Sequence, residues 1–540
     1  MDSVYQSRSI RRNRTGCWNC KSQKRRCSEE RPSCSRCIRR GLACSYGLRL
    51  QWEDETRCAG IAFGRAAQHN RTPETTYYLL PIPRGRLRWL HTTADEVRRF
   101  PYGGASRRAD ETPDGPLAML ELSLPPSLSA LPSLEHNDGT LLQYYTQEWS
   151  AHRVLSKKLE NPFQRLILPR AFQFSPLLHM IMSLAAHDLF NRTHADQQHQ
   201  RQEFYSSMLQ HKLWSLQDVR QLLCSSKGLD DTYDSINQCE RDGLLMAVML
   251  HSLMEIATNS TSEWAVHTLG GLSMVKRYGH EPFSPEVYRF VTDYFSLSEA
   301  FLATTGTELE IEDLNGWLVP QRKSMFPILR SMHGRSQINP YTGLSSELIQ
   351  NITSITSTIQ HHSGAGSDRK SAAVMRTELQ AVENRLSELE QWSEDSDTES
   401  LIYLNAAAFE AAAWVYLRVA QYGCDAEEIQ TKSMPTLFEA IRRVHERQDA
   451  LVGSVPYPLW ALFIAACLAP EHERIQVLDW FEELKGCRSL SNVSSTMEAT
   501  MMVWKQHDLK LINGHPRGGR VSGVPWHEAI RCLGWMLSLM

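Results

Sequence analysis

Apolar residues recur every three or four positions through most of the chain after residue 139. The clearest runs are LLQYYTQEW (141–149), FSPLLHMIMSLAAHDLF (174–190), GLLMAVMLHSLMEIA (243–257), AAAFEAAAWVYLRVA (406–420) and YPLWALFIAACL (457–468). This is the period of an α-helix with one face turned inward, and breakers separate the runs. Strand-like alternation is scarce, so residues 139–540 are expected to form an all-α body in which helix packs on helix. Two stretches interrupt it. HHSGAGSDRK (361–370) reads as a polar loop, with His361 and His362 facing solvent, and Glu388 to Glu399 (ELEQWSEDSDTE) is acidic around a single Trp. An acidic segment with an aromatic can recruit transcription machinery, but a solvated helix end and loop is the simpler reading. From 47 to 138 the chain is rich in Arg, Pro and Gly without a sustained period, and reads as a linker in which Arg84, Arg86 and Arg88 flank Trp89.

A chain of 540 residues exceeds what one hydrophobic core serves, so a small module beside a larger body is expected. Charge separates the two. The net balance of -3 hides 13 Lys or Arg among residues 1–50 against Asp2, Glu29 and Glu30, which is +10 there and leaves -13 for the remainder. A basic head on a mildly acidic body points to a polyanion, first of all nucleic acid, as partner of the head. MDSVYQSRSIRRNRTG offers no signal-peptide core, so secretion is not expected and the thiols should be reduced. The longest apolar run, Pro458 to Pro470, is too short to span a bilayer.

Six of the 13 cysteines lie between positions 17 and 44 in the pattern Cys17-x2-Cys20-x6-Cys27-x6-Cys34-x2-Cys37-x6-Cys44. The pattern is an internal repeat, because Cys17, Cys20 and Cys27 return 17 positions later as Cys34, Cys37 and Cys44. A Cys-x2-Cys pair lets two thiolates converge on a tetrahedral zinc, and the third returns after about two helical turns. A closed structural site needs four ligands, so two three-cysteine halves are completed only by sharing two sulfurs. Separate paired zinc sites would need eight ligands, and no histidine precedes His69. Iron–sulfur clusters use other spacings, and three disulfides need an oxidising compartment. The remaining cysteines, Cys58, Cys224, Cys239, Cys424, Cys467, Cys487 and Cys532, are scattered and are expected as small buried hydrophobes.

GCWNCKSQKRRCSEERPSCSRCIRRGLACSYG, residues 16–46 or so, resembles the fungal binuclear zinc-cluster DNA-binding domain with no ligand missing. The resemblance implies two zinc ions bridged by Cys17 and Cys34, a connecting loop marked by Pro32, and a nuclear transcription factor that reads guanine-rich, CGG-like triplets in double-stranded DNA. LLQYYTQEWSAHRV and NPFQRLILPRAFQFSPLLHMIMSLAAHDL are similar to the all-helical regulatory region of the branch that includes the acriflavine sensitivity control protein. The expected organisation is a basic arm (1–15), the zinc cluster (16–46), a linker (47–138) and the helical regulatory body (139–540).

KSQKRR between Cys20 and Cys27 is expected as a short helix with Lys21, Lys24 and Arg25 on one face. The resemblance places Lys24 at the base-reading position, where a lysine meets guanine O6 and N7. Lys21, Arg25 and Arg26 lie beside it for phosphates or neighbouring base edges. Gln23 departs from the usual basic residue. In the second half Arg36, Arg39 and Arg40 are expected on the DNA backbone, and Arg11, Arg12 and Arg14 precede the cluster as the arm. No heptads follow the cluster; the one a/d-like run, Met375, Leu379, Val382, Leu386 and Leu389, is short and reads as a core helix, which leaves a homodimer open. No G-x-S-x-G, G-x-x-x-x-G-K-[ST], H-E-x-x-H or G-x-G-x-x-G motif occurs, so an enzyme is not expected. A small-molecule effector bound between helices of the body is compatible with the pattern.

Overall fold

A computed structural model describes residues 17, 19–20, 23, 25, 27–31, 33–42 and 44, and then 138–156, 158–194, 196–224, 236–258, 261–306, 336–363, 369–395, 397–424, 426–447, 456–487, 491–512 and 524–540. The basic arm and nearly all of the linker lie outside these residues. The chain divides into two compact units, a small one with the six N-terminal cysteines and a large one with most of the helices. The small unit has one described helix, α1 (Ser35–Arg39).

The large unit begins with α2 (Asp138–Tyr144), which runs on as a π-helical turn over Tyr145–Trp149. Its Asp138 is buried as the partner of His211 Nε2, at 3.2 Å. A second π-turn (Phe163–Ile167) leads into α3 (Leu168–Ala171), followed by α4 (Ser175–Arg192), α5 (Gln198–Cys224), α6 (Gln238–Thr258), α7 (Glu263–Tyr278) and α8 (Pro285–Thr304). Pro176 and Pro285 open α4 and α8, where a missing N–H costs nothing and the fixed φ suits a helix. The middle of α4 is buried all round from Pro176 to Asp188, its mostly apolar side chains joined by His179, Ser183, His187 and Asp188. It is the axis on which α5 folds back, with α6 and α8 in the same core.

The second half adds α9 (Ser346–Ser363), α10 (Arg369–Ser387), α11 (Leu401–Tyr422), α12 (Met434–His445, entered through a π-turn over Ile429–Ser433), α13 (Leu459–Leu468), α14 (Arg474–Cys487), α15 (Asn492–Ile512) and α16 (Pro525–Leu533). All ten residues of α13 are buried, as the unbroken apolar run requires. Around it Phe301 stacks on Trp460 with ring centroids 5.2 Å apart, and Tyr416 and Phe463 pack on Trp526. Both indole N–H groups are satisfied by Thr304: Trp460 donates to its Oγ1 at 3.0 Å and Trp526 to its carbonyl at 2.8 Å. Two isolated bridge pairs, Gln337 with Trp392 and Ile338 with Ser345, are the extent of β-pairing among the described residues. Among those residues no helix is long and apolar enough to cross a membrane.

The structure revises three expectations. The acidic stretch is, as expected, a largely exposed helix end and loop, with Glu388, Glu390, Trp392, Glu394, Asp397 and Glu399 facing solvent, but it is pinned at two points: Ile338 N–H donates to the Trp392 carbonyl at 2.8 Å, and Asp395 is buried, accepting from Ser156 Oγ and Lys158 Nζ, both at 2.8 Å. His361 is exposed as expected, but His362 is tied to Ser371 Oγ at 2.7 Å and lies 3.4 Å from Glu378. Of the scattered cysteines with described side chains, Cys467 is buried, Cys239 and Cys424 are half-buried and Cys532 is exposed. Cys532 lies on α16, which turns Trp526, Ala529, Ile530 and Leu533 inward and leaves the thiol on the outer face. Leu379, Val382, Leu386 and Leu389 are buried in this chain's own core.

Gly271 on α7 is required by packing. A Cβ there would sit 2.1 Å from the ring of Phe295, which is itself fully buried on α8. Gly271→Ala is therefore expected to destabilise the body by about 1–3 kcal/mol, the usual cost of overpacking. Denaturant midpoints of the two proteins check this; an unchanged midpoint would show that α7 and α8 can part freely.

Candidate metal centre and nucleic-acid interface

The six cysteines spread over 28 positions of chain close into one cluster, five of them buried and Cys44 half-buried. Their sulfurs form two sets of four, Cys17, Cys20, Cys27 and Cys34, and Cys17, Cys34, Cys37 and Cys44, each with all ligand atoms within 4.8 Å of one another. Cys17 and Cys34 belong to both sets, and their sulfurs are 3.7 Å apart.

The 17-residue repeat is repeated in the hydrogen bonds. Cys17 N–H donates to Cys27 Sγ at 3.4 Å, and Cys34 N–H donates to Cys44 Sγ at 3.2 Å. Cys20 N–H donates to Cys17 Sγ at 3.5 Å, and Cys37 N–H to Cys34 Sγ at 3.4 Å. Each shared sulfur thus accepts the N–H three residues on, which makes Cys34 the cap of α1. The helix ends are matched too. Leu42 N–H reaches the Cys37 carbonyl at 3.0 Å past Gly41, whose φ of 62° only glycine adopts without strain, and Arg25 N–H reaches the Cys20 carbonyl at 2.9 Å. These reversals turn the chain back to the third cysteine of each half.

Sulfurs packed so closely can all be thiolates only with positive charge between them. On the protein alone, burial pushes the Cys17 thiol far above its ordinary value and Cys37 up to about 12, while the Cys37 N–H draws Cys34 down to about 6. Divalent zinc, with its tetrahedral preference for thiolates, fits both sets and would hold all six sulfurs deprotonated.

The basic residues are placed unevenly. Lys21, Lys24, Arg26 and Pro32 lie outside the described residues. Gln23 N–H bonds the Asn19 carbonyl at 3.2 Å, one turn of the helix expected there. Arg25, Arg39 and Arg40 are exposed. Arg36 turns inward across the cluster, donating to Gln23 Oε1 at 2.9 Å and to Cys20 Sγ at 3.8 Å, while Gln23 Nε2 donates to Asn19 Oδ1 at 3.0 Å. The departure at position 23 thus has a physical partner: a neutral amide accepts the Arg36 guanidinium where a basic side chain would repel it. Sequence reasoning missed this link because the two residues sit in different halves. It also missed the N-terminus of α1, where Ser35 N–H is shared by Ser28 Oγ at 3.0 Å and Glu30 Oε2 at 3.1 Å.

Residues 15–53 match the fungal Zn(2)-Cys(6) binuclear cluster domain, and residues 140–540 match the fungal specific transcription factor domain. Among curated proteins, the thiamine biosynthesis regulatory protein of Saccharomyces cerevisiae is 56% identical over 41 residues, 8% of this chain and 9% of that protein. The aflatoxin biosynthesis regulatory protein of Aspergillus flavus is 54% identical over 41 residues, again 8% and 9%. These likenesses span about a tenth of the relatives' length. No solved structure matches the chain significantly. With one match across the six cysteines and another across three quarters of the sequence, the chain belongs to the fungal transcription factors that join a two-zinc, six-cysteine cluster to an all-helical domain.

Proposed function

We propose that the chain is a nuclear, sequence-specific DNA-binding transcription factor that regulates genes transcribed by RNA polymerase II. Its cluster reads guanine-rich, CGG-like triplets in double-stranded DNA. The observation that carries the reading is the pair of four-sulfur sets sharing Cys17 and Cys34, set in a segment of net charge +10. Cys17, Cys20, Cys27, Cys34, Cys37 and Cys44 hold two zinc ions, with the two common sulfurs as bridges. Zinc supplies the fold of the module, and the chain's own cations do the binding. Lys24 reads guanine edges in the major groove. Lys21, Arg25 and Arg26 line the same segment, and Arg39 and Arg40 meet phosphates from α1. Arg36 and Gln23 join the two halves, so their part in binding is to hold these surfaces together. The helical body is the regulatory part that contacts the transcription machinery, as a homodimer or alone, under the control of a small-molecule effector. We read no enzymatic activity in it.

Two substitutions separate base reading from charge attraction. Lys24→Ala is expected to remove about 1–3 kcal/mol of discrimination between a guanine-rich and a scrambled duplex. Arg39→Ala should weaken both duplexes alike and lower the salt slope by about one. Competition titrations at two salt concentrations check both. Equal weakening of the two duplexes by Lys24→Ala would remove its base-reading role.

A further inference from the structure

Six Arg-Arg pairs occur in the chain, and one of them alone, Arg25-Arg26, has a hydroxyl side chain two residues further on, at Ser28. Two arginines followed at that spacing by a serine form a charge pattern that protein kinases with an acidic substrate cleft select, since each guanidinium pairs with carboxylates there. Ser28 itself holds no zinc and brings no charge to DNA. Ser28 and Arg25 are exposed, and Cys27 to Glu30 have no regular secondary structure. An exposed irregular segment of this kind is the part of a fold that another protein can take hold of. Ser28 Oγ accepts from Ser35 N–H at 3.0 Å and from Ser35 Oγ at 2.9 Å. Both bonds use its oxygen as acceptor, which leaves its own proton for a base.

The position is also a sensitive one. Ser28 belongs to the first half of the cluster and Ser35 opens α1 in the second, so their contact joins the halves. Glu30 Oε2 accepts from the same Ser35 N–H at 3.1 Å, and Arg39 Nε donates to the Ser35 carbonyl at 3.4 Å. A phosphate ester on Ser28 would set a charge approaching -2 against the Glu30 carboxylate, beside the short helix that carries Arg39 and Arg40. It would also lower the net charge of residues 1–50 from +10 to about +8.

We propose that Ser28 is a phosphorylation site for an ATP-dependent protein kinase that selects basic residues, and that the modification weakens DNA binding. Ser28 Oγ attacks the γ-phosphorus of ATP, the bond from that phosphorus to the β-phosphate oxygen breaks, ADP leaves, and the hydroxyl proton passes to the kinase's base. The phosphate then repels Glu30 at the shared N–H, which loosens the join between the halves, and it competes with DNA phosphates for the cations round it. The effect rests on the DNA-binding reading; the modification itself does not.

The test treats the zinc-loaded full chain with ATP and a purified kinase that selects Arg-Arg-x-Ser, the cyclic-AMP-dependent type, and locates the phosphate by tandem mass spectrometry. The parent should carry phosphate at Ser28, Ser28→Ala should lack that phosphopeptide, and Arg25→Ala should be modified there about tenfold more slowly. Against a guanine-rich duplex, the phosphorylated parent should bind about tenfold or more weakly than the untreated one, with a salt slope lower by about one to two. Phosphatase should restore both. Ser28→Ala, in which Glu30 keeps the Ser35 N–H, should hold two zinc ions and bind the duplex like the parent, before and after kinase treatment. No phosphate at Ser28 in the parent would overturn the site. Phosphate there with unchanged affinity, or an equal loss of affinity in treated Ser28→Ala, would overturn its effect. If the untreated parent shows no preference for the guanine-rich duplex, the DNA-reading proposal fails, and the phosphate mapping still decides the site.

Discussion

Removing zinc from a fragment spanning residues 8–46 should abolish its fold, with a loss comparable to the ~10–16 kcal/mol with which structural zinc sites bind their metal. The segment has little else to hold it. Its described core is the cysteine cluster with Leu42 against it, and α1 is five residues long. A helix that short does not persist unaided. Metal analysis should return two zinc per fragment, and titration with a chelator should lose the circular dichroism signal and DNA binding together. Cys34→Ser should impair both metal positions, since its sulfur lies in both sets, whereas Cys44→Ser should impair one. Cys532→Ser, an exposed thiol on α16 of the full chain, should leave the zinc content at two. One zinc per six thiolates would be incompatible with the shared arrangement.

Mild acid should unfold the helical body. Burial pulls His179 and His187 down to about 4 and His251 to about 3, from an ordinary value of 6.5. These residues are native in the neutral form. Below pH 6.5 the unfolded chain takes up protons that the folded chain refuses, so their stability is complete above 6.5 and is lost as pH falls towards 4. At about 1.36 kcal/mol per unit, each histidine forfeits roughly 3 kcal/mol over that window. Asp293 works in the opposite sense: burial lifts its carboxyl to about 6, so acidification relieves it and offsets about one histidine. The balance remains a loss of several kcal/mol, a large part of the ~5–15 kcal/mol of an ordinary domain. Denaturant midpoints of the body should be flat from pH 8 to 7 and fall steeply from 6.5 to 4.5. His251→Gln should reduce that slope, and a midpoint indifferent to pH over this range would count against the buried neutral histidines.

What could be read from the sequence was whatever lies close together along it. The cysteine spacing implied the two shared sulfurs, and the apolar period located α4, α6, α11 and α13, because both patterns are local. Asp395 could not be recognised as buried, since its partners Ser156 and Lys158 stand 239 and 237 positions away. The pairing of Gln23 with Arg36 is likewise a three-dimensional fact. One local signal was available and unused: Gly41, seven residues after Cys34, marks the reversal that returns Cys44 to the cluster.

The double membership of Cys17 and Cys34 also bears on what a bound zinc could do. Three sulfurs from one half would leave each zinc an open position for water, and zinc-bound water ionises near neutral pH to become a nucleophile. With the two common sulfurs counted in each set, four thiolates would close round either ion. The repeat would therefore keep an ion of known hydrolytic power chemically silent.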